Sequence, residues 1–171
     1  MAPLKLWLLD ADVVIDLLSL DVFDKLVIQH EVFLATIVID EVKWFKKDGV
    51  KQRVNFREKY IESGLVKELS ATAGEIKTIL SKLPLIFHET LDSGELESLA
   101  VCFREGNLVF CSCDAAAIRA LPFLDLSDRG VAVADLLKSS GLLKPGLKDR
   151  HSAEYFNDNL AIGRRDKIYQ F

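Results

Sequence analysis

Three short apolar runs that do not alternate constrain this chain most. Leu4 to Leu9, Val32 to Ala35 and Asn107 to Cys111 are apolar almost throughout, not at every second position. A strand with one face in water alternates, whereas a strand covered on both faces does not. Helical spacing fills the stretches between these runs. Val13 to Leu20 reads as a helix leaving the first strand. Ala73 to Leu83 puts Ile76, Ile79, Leu80 and Leu83 on one face, and Pro84 ends it. Asp92-Ser93-Gly94-Glu95 opens a helix with Leu96, Leu99, Ala100 and Phe103 on its apolar face, and Gly106 closes it as a C-cap. Strands covered on both sides, alternating with helices, predict an α/β fold: a three-layer α/β/α sandwich around a central, mostly parallel sheet.

Between these landmarks, Thr36 is expected to cap a helix running through Glu41 to Lys47, and the polar stretch from Val50 to Ser63 to be helical. Leu65 to Leu69 and Phe123 to Leu126 are expected as short strands. Ala115 to Leu121 reads as a helix stopped by Pro122, and Gly130 to Ser140 as a helix ending at Gly141. From Lys144 the chain is more polar, with a helix expected near Ser152 to Leu160. The reading is one domain over residues 1–143, with 144–171 as an extension packed on it or trailing from it.

Half of the 171 residues are hydrophobic, which excludes a disordered chain. No apolar run approaches the roughly 20 residues of a membrane span. The run after Met1-Ala2-Pro3-Leu4-Lys5 meets Asp10 too soon for a signal peptide, so a cytoplasmic protein is expected. Cys102, Cys111 and Cys113 are odd in number and lack zinc-knuckle spacing, and His30, His88 and His151 are scattered. Buried reduced thiols are the expectation. No Gly-x-Gly-x-x-Gly and no Gly-Lys-Ser/Thr is present, which removes dinucleotide and phosphate-loop folds.

Chemistry enters where apolar runs end in acid. Asp10 follows the first strand and Asp114 follows Asn107–Cys111, while Glu41 and Glu95 lie near the starts of helices. Sites in open parallel sheets form at the carboxyl ends of strands. Four acids from four distant segments are therefore expected along one edge. Their oxygen-only donor set suits Mg²⁺ or Mn²⁺ and not zinc. Simpler roles compete with this one. Asp12 and Asp114 are each placed to cap the following helix, and Asp92 with Glu95 has capping-box spacing. Glu97 is expected to be exposed, and Asp16, Asp21 and Asp24 to be surface charge. Arg119 is read as a surface or salt-bridge residue.

The net charge of −4 argues against a generic nucleic-acid binder, yet cations cluster. Lys43, Lys46, Lys47, Lys51, Arg53, Arg57 and Lys59 are opposed only by Asp48 and Glu58, with Phe56 and Tyr60 among them. Such a patch can hold a phosphate backbone and stack a base, or it can be a solvated helix face.

Taken in order, these motifs resemble those of the PIN-domain nucleases, over the chain up to about Leu143. Asp10 matches the family's first acid at the end of strand one, although Asp12 stands where a small polar residue is usual. Thr36 with Glu41 resembles the Ser/Thr-then-Glu motif. Gly94-Glu95-Leu96-Glu97-Ser98-Leu99-Ala100 is similar to the Gly-Glu-Ala-Glu-Ala-Ile segment of one branch. Cys113-Asp114 with Arg119 resembles the fourth motif, Ile118 replacing its alanine. Gly130, Leu136-Leu137-Lys138 and Gly141-Leu142-Leu143 resemble that branch's closing segment. The resemblance implies a ribonuclease in which Asp10, Glu41, Glu95 and Asp114 bind Mg²⁺ or Mn²⁺ and water attacks an RNA phosphodiester in line. It implies auxiliary roles for Asp12, Ser112 and Arg119. It also implies possible partners: an antitoxin protein, since many relatives are toxins of toxin–antitoxin pairs, and a second copy in a homodimer.

Two other readings stay open. Leu8-Leu9-Asp10-Ala11-Asp12-Val13-Val14 is similar to the Asp-x-Asp opening of haloacid-dehalogenase-type phosphatases, with Asp10 as nucleophile and Asp12 as acid/base. That reading gives the Glu95 helix no role. The third reading is a catalytically inactive PIN-like module that binds RNA or protein.

Overall fold

The computed structural model describes residues 6–170. The N-terminal segment read against a signal peptide, including Leu4 and Lys5, lies outside the described residues, as does Phe171. The chain forms β1 (Leu6–Leu9), α1 (Ala11–Ser19), α2 (Phe23–Gln29), β2 (Glu31–Ala35) and α3 (Thr36–Glu41), then β3 (Trp44–Lys47) and β4 (Val50–Arg53). A π-helical turn at Arg57–Ile61 leads to β5 (Val66–Leu69), α4 (Ala73–Lys82), α5 (Leu85–Thr90), α6 (Ser93–Arg104), β6 (Leu108–Cys111) and α7 (Ala115–Ala120). After two 3₁₀ turns come β7 (Gly130–Val131), α8 (Val133–Ser139) and α9 (Ala153–Tyr169).

The main sheet has the order β5-β2-β1-β6-β7, and every pairing in it is parallel. β1 is central, with Trp7 opposite Val32 on one side and Val109 on the other. Its continuous apolar run follows from two covered faces. Trp7 and Leu9 enter one core with Val14, Leu17, Phe23, Ile39 and Leu136, while Leu8 enters the other with Ile79, Leu99, Ile118 and Phe156. The expected three-layer α/β/α sandwich is the observed architecture.

Several local expectations are corrected. Thr36 is the first residue of α3 and not its cap; Ala35 holds that position, and the Thr36 hydroxyl bonds Glu68 instead. α3 stops at Glu41. Residues 44–53 form a hairpin and not helix, because Asp48 and Gly49 both take positive φ, 51° and 77°. That is the backbone of a type I′ turn, which Asp-Gly supplies readily. Residues 121–124 continue α7 as a 3₁₀ turn around Pro122, so no strand forms at 123–126. Gly130 and Val131 pair with Phe110 and Cys111, and the next helix begins only at Val133. α2 and α5 were not anticipated. In the tail, Gly163 of α9 lies against α7 so closely that a Cβ there would stand 2.4 Å from the Arg119 carbonyl oxygen.

Candidate active site

The carboxyl ends of β1 and β6 are adjacent, and both deliver acid. The Asp10 N–H bonds the Cys111 carbonyl at 3.1 Å, extending the ladder by one rung. Asp10 then caps α1, its Oδ1 accepting from the Ala11 N–H at 2.8 Å. Ser112 links the two strand ends. Its hydroxyl donates to Asp10 Oδ2 at 3.1 Å and accepts from the Asp114 N–H at 3.1 Å. Asp114 in turn caps α7 through the Ala117 N–H at 3.0 Å. Asp10 is only 5% exposed. Burial pushes its pKa up to about 7, and the charges of Asp92 and Asp12 add to the rise, against the Ala11 and Ser112 hydrogen bonds.

α6 aims its N-terminus at the same edge. The capping box is present: Asp92 Oδ1 accepts from the Glu95 N–H at 2.8 Å, and Glu95 Oε2 accepts from the Asp92 N–H at 3.0 Å. Glu95 is 6% exposed. Its pKa is pushed up to about 8 by burial, with the carboxylates of Asp10, Asp114 and Asp92 adding to the rise. Capping and a place in the acidic group are therefore compatible for Glu95. Glu41 reaches over this helix start, and a Cβ on Gly94 would stand 3.1 Å from both of its carboxylate oxygens. Burial and the charges of Asp92 and Asp12 raise the Glu41 pKa. Asp92 is the residue that sequence reasoning left out of the acidic group; its influence on Asp10, Glu41 and Glu95 marks it as a member.

The fold thus brings Asp10, Glu41, Glu95 and Asp114 to one edge, and none of the four forms an ion pair with a basic side chain among the described residues. No three of them have carboxylate oxygens all within 4.8 Å of one another. Only Asp16, Cys113 and His151 form so tight a group of candidate ligands among the described residues. Asp16 is buried and not surface charge. It binds Lys148 at 3.2 Å, Arg150 at 2.5 Å and His151 Nε2 at 2.7 Å. Burial pushes its pKa up, but hydrogen bonds from His151, Arg150 and Lys148 outweigh that and hold it at about 2. His151 Nδ1 accepts from the Lys148 N–H at 2.9 Å, so the proton is on Nε2, facing Asp16. Burial pushes the Cys113 thiol up to about 12, keeping it protonated. Two cations and an imidazole N–H already compensate Asp16, and these contacts tie the tail to α1.

Other expected residues also move. Glu97 is buried, not exposed, and accepts from the Ile37 N–H at 2.8 Å and the Ala71 N–H at 3.2 Å, satisfying the start of α3. Asp12 is exposed and pairs with Arg150 at 3.6 Å. Arg119 is turned toward α9, its Nε donating to Asn159 Oδ1 at 2.8 Å. All three cysteines are buried and reduced, as expected.

The basic cluster divides. Arg57 is held by Asp40 at 3.0 Å and Glu68 at 2.9 Å, Lys47 by Asp21 at 3.1 Å and Lys59 by Asp24 at 3.3 Å. Phe56 and Tyr60 are core residues, so neither offers a stacking face. Lys43, Lys46, Lys51 and Arg53 have no ion pair among the described residues. Trp44 lies opposite Arg53 and Lys46 opposite Lys51, so these four side chains share one face of the hairpin. Trp44 is 44% exposed, with Lys51 Nζ 4.8 Å and the Arg53 guanidinium 5.8 Å from its ring centroid. Trp44 was missed by the sequence reading, and the Asp48-Gly49 turn was the signal that could have found it.

Among the described residues, no helix is long and apolar enough to cross a membrane. Compared with known proteins, the chain matches no protein-family profile and no curated protein.

Proposed function

We propose that the chain is a metal-dependent ribonuclease of the PIN type, acting on RNA in the cytoplasm. One observation carries the reading: Asp10 and Glu95 are buried, lie among further carboxylates and have no cationic partner among the described residues. A buried carboxylate without a cation is costly, and acids raised in this way cluster at functional sites. Asp10, Glu41, Glu95 and Asp114 offer only oxygen donors, which fits Mg²⁺ or Mn²⁺. When bound, such an ion supplies Lewis acidity for hydrolysis of a phosphodiester and offsets charge on its phosphate. The chain's own groups orient the acids. Ser112 fixes Asp10 Oδ2 and the Asp114 backbone together, and Asp92 fixes the Glu95 carboxylate.

The hairpin supports RNA as the substrate. Like charges directly opposite on paired strands are destabilising, and Lys46 faces Lys51. A cationic face around an exposed indole suits a phosphate backbone with bases that stack. Asp12 carries an ion pair with Arg150, which weakens the phosphatase alternative that needs it as acid/base. An antitoxin or a second copy stays a proposal on the same family grounds.

The test is cleavage of single-stranded RNA with Mn²⁺ or Mg²⁺. Cleavage is expected to stop with EDTA and in Asp10→Asn and Asp114→Asn. An aspartyl-phosphate formed from a phosphomonoester selects the phosphatase. RNA binding that EDTA leaves unchanged, with no cleavage, selects the inactive module.

A further inference from the structure

Beyond Asp114 the acidic edge opens into a groove of about 610 Å³ between α5, α7 and the end of α9. Its volume falls within the roughly 300–1,000 Å³ of small-ligand sites. Asp114 stands at one end. Ala115 and Ala116, the first turn of α7, line the groove next to it with only methyl groups, leaving room beside the acid. The exposed side chain of Ile86 lies on the α5 side, and Tyr169, 78% exposed, lies on the α9 side. Arg119 and Gln170 supply polarity. The only hydrogen bond of the Arg119 side chain is from Nε to Asn159, so both terminal nitrogens are unbonded among the described residues. Gln170 has no side-chain hydrogen bond among them either.

Strand order places the groove relative to the acids. β1 lies between β2 and β6, so the edge runs from Glu41 past Asp10 to Asp114. The groove begins at the Asp114 end of that edge.

We infer that this groove binds an unpaired nucleotide of the RNA, its base stacked on Tyr169 and packed against Ile86, its phosphate or base edge met by Arg119. The combination of one exposed aromatic face, an apolar wall, and two guanidinium nitrogens and an amide left unbonded among the described residues matches what a nucleotide presents. The nearest carboxylate on α9, Asp166, is engaged by Arg165 at 3.4 Å. The inference rests on the ribonuclease reading and extends it to a place for the flanking base.

Tyr169→Ala tests it, because so exposed a side chain adds little to the core. Binding of a fluorescent single-stranded oligoribonucleotide is measured by anisotropy in EDTA, and cleavage is measured separately with Mn²⁺. Tyr169→Ala is expected to weaken binding by about 5- to 160-fold, the range for one lost base stack. Tyr169→Phe is expected to bind like the wild type, and Ile86→Ser to give a smaller loss than Tyr169→Ala. If the wild type binds and cleaves RNA and Tyr169→Ala does the same, the groove is not a nucleotide site and the ribonuclease reading stands. If the wild type neither binds nor cleaves, both fail together. If Tyr169→Ala instead abolishes a dimer seen by sedimentation and leaves RNA binding intact, the patch is an interface between copies and the inference is overturned.

Discussion

Asp10→Asn should stabilise the metal-free protein at the pH where it should also destroy activity. A group whose folded pKa is raised adds stability that is fully present below its unfolded pKa and is lost as pH rises through the folded one. For Asp10 the rise runs from an ordinary 3.8 to about 7. At 1.36 kcal/mol per pH unit, the cost of burying the carboxylate is about 4 kcal/mol above pH 7 and close to zero below pH 4. Asparagine keeps the acceptor for Ala11 and presents an amide N–H₂ to the Ser112 oxygen. The Ser112 hydroxyl proton then loses its acceptor, at a cost of about 1 kcal/mol. The net gain is about 3 kcal/mol at pH 8, or roughly 6–12 °C in Tm for a chain of this size. Thermal melts in EDTA at pH 8 and pH 4 measure it. Asp10→Asn should melt higher at pH 8 and no higher at pH 4. Mn²⁺ should raise the wild-type Tm at pH 8 and leave Asp10→Asn unmoved. If Asp10→Asn is destabilising at pH 8, or its effect does not change with pH, the Asp10 carboxylate is already compensated and the argument for a cation there collapses.

Asp16→Asn should behave in the opposite sense: a pKa held at about 2 means stability present above the unfolded value and lost as pH falls, so the variant should lose about 2 kcal/mol at pH 7 and much less at pH 2, read by urea denaturation. Gly94→Ala should leave Tm nearly unchanged, because the contact at 3.1 Å is with the mobile end of Glu41, yet it should weaken Mn²⁺ binding measured by calorimetry. Lys51→Ala should reduce the slope of log affinity for single-stranded RNA against log salt by about 0.7, one phosphate contact, with no change in melting.

How much was legible in the sequence depended on the range of the interaction. β1, β2 and β6 could be read because an apolar run buried on both faces needs no knowledge of its neighbours, and α6 because Asp92 and Glu95 cap it locally. The placement of Asp10, Asp114, Glu41 and Glu95 at one edge follows from those elements once the sheet is parallel. The hairpin was also written locally, in Asp48-Gly49, and was lost because seven cations in 17 residues looked like a helix face. Glu97 and Asp16 are different. Their partners, Ile37 and Ala71 for one and residues 148–151 for the other, are 26 to 135 positions away. No spacing within their own helices reveals why an acid there should be buried.

Asp10 and Asp16 sharpen the functional argument by contrast. Both are buried acids on the same short segment, six positions apart. One is met by Lys148, Arg150 and His151, all brought by the tail, and stays ionised to about pH 2. The other is met by a backbone N–H and a serine hydroxyl, and by further acids. The tail already supplies a guanidinium to this neighbourhood, yet Arg150 reaches Asp12 and Asp16 and forms no ion pair with Asp10. A fold able to compensate one buried carboxylate with three donors, while leaving its neighbour among like charges, is what the proposed role of that neighbour as a cation ligand requires. The contrast supports a structural role for Asp16 and the proposed functional one for Asp10.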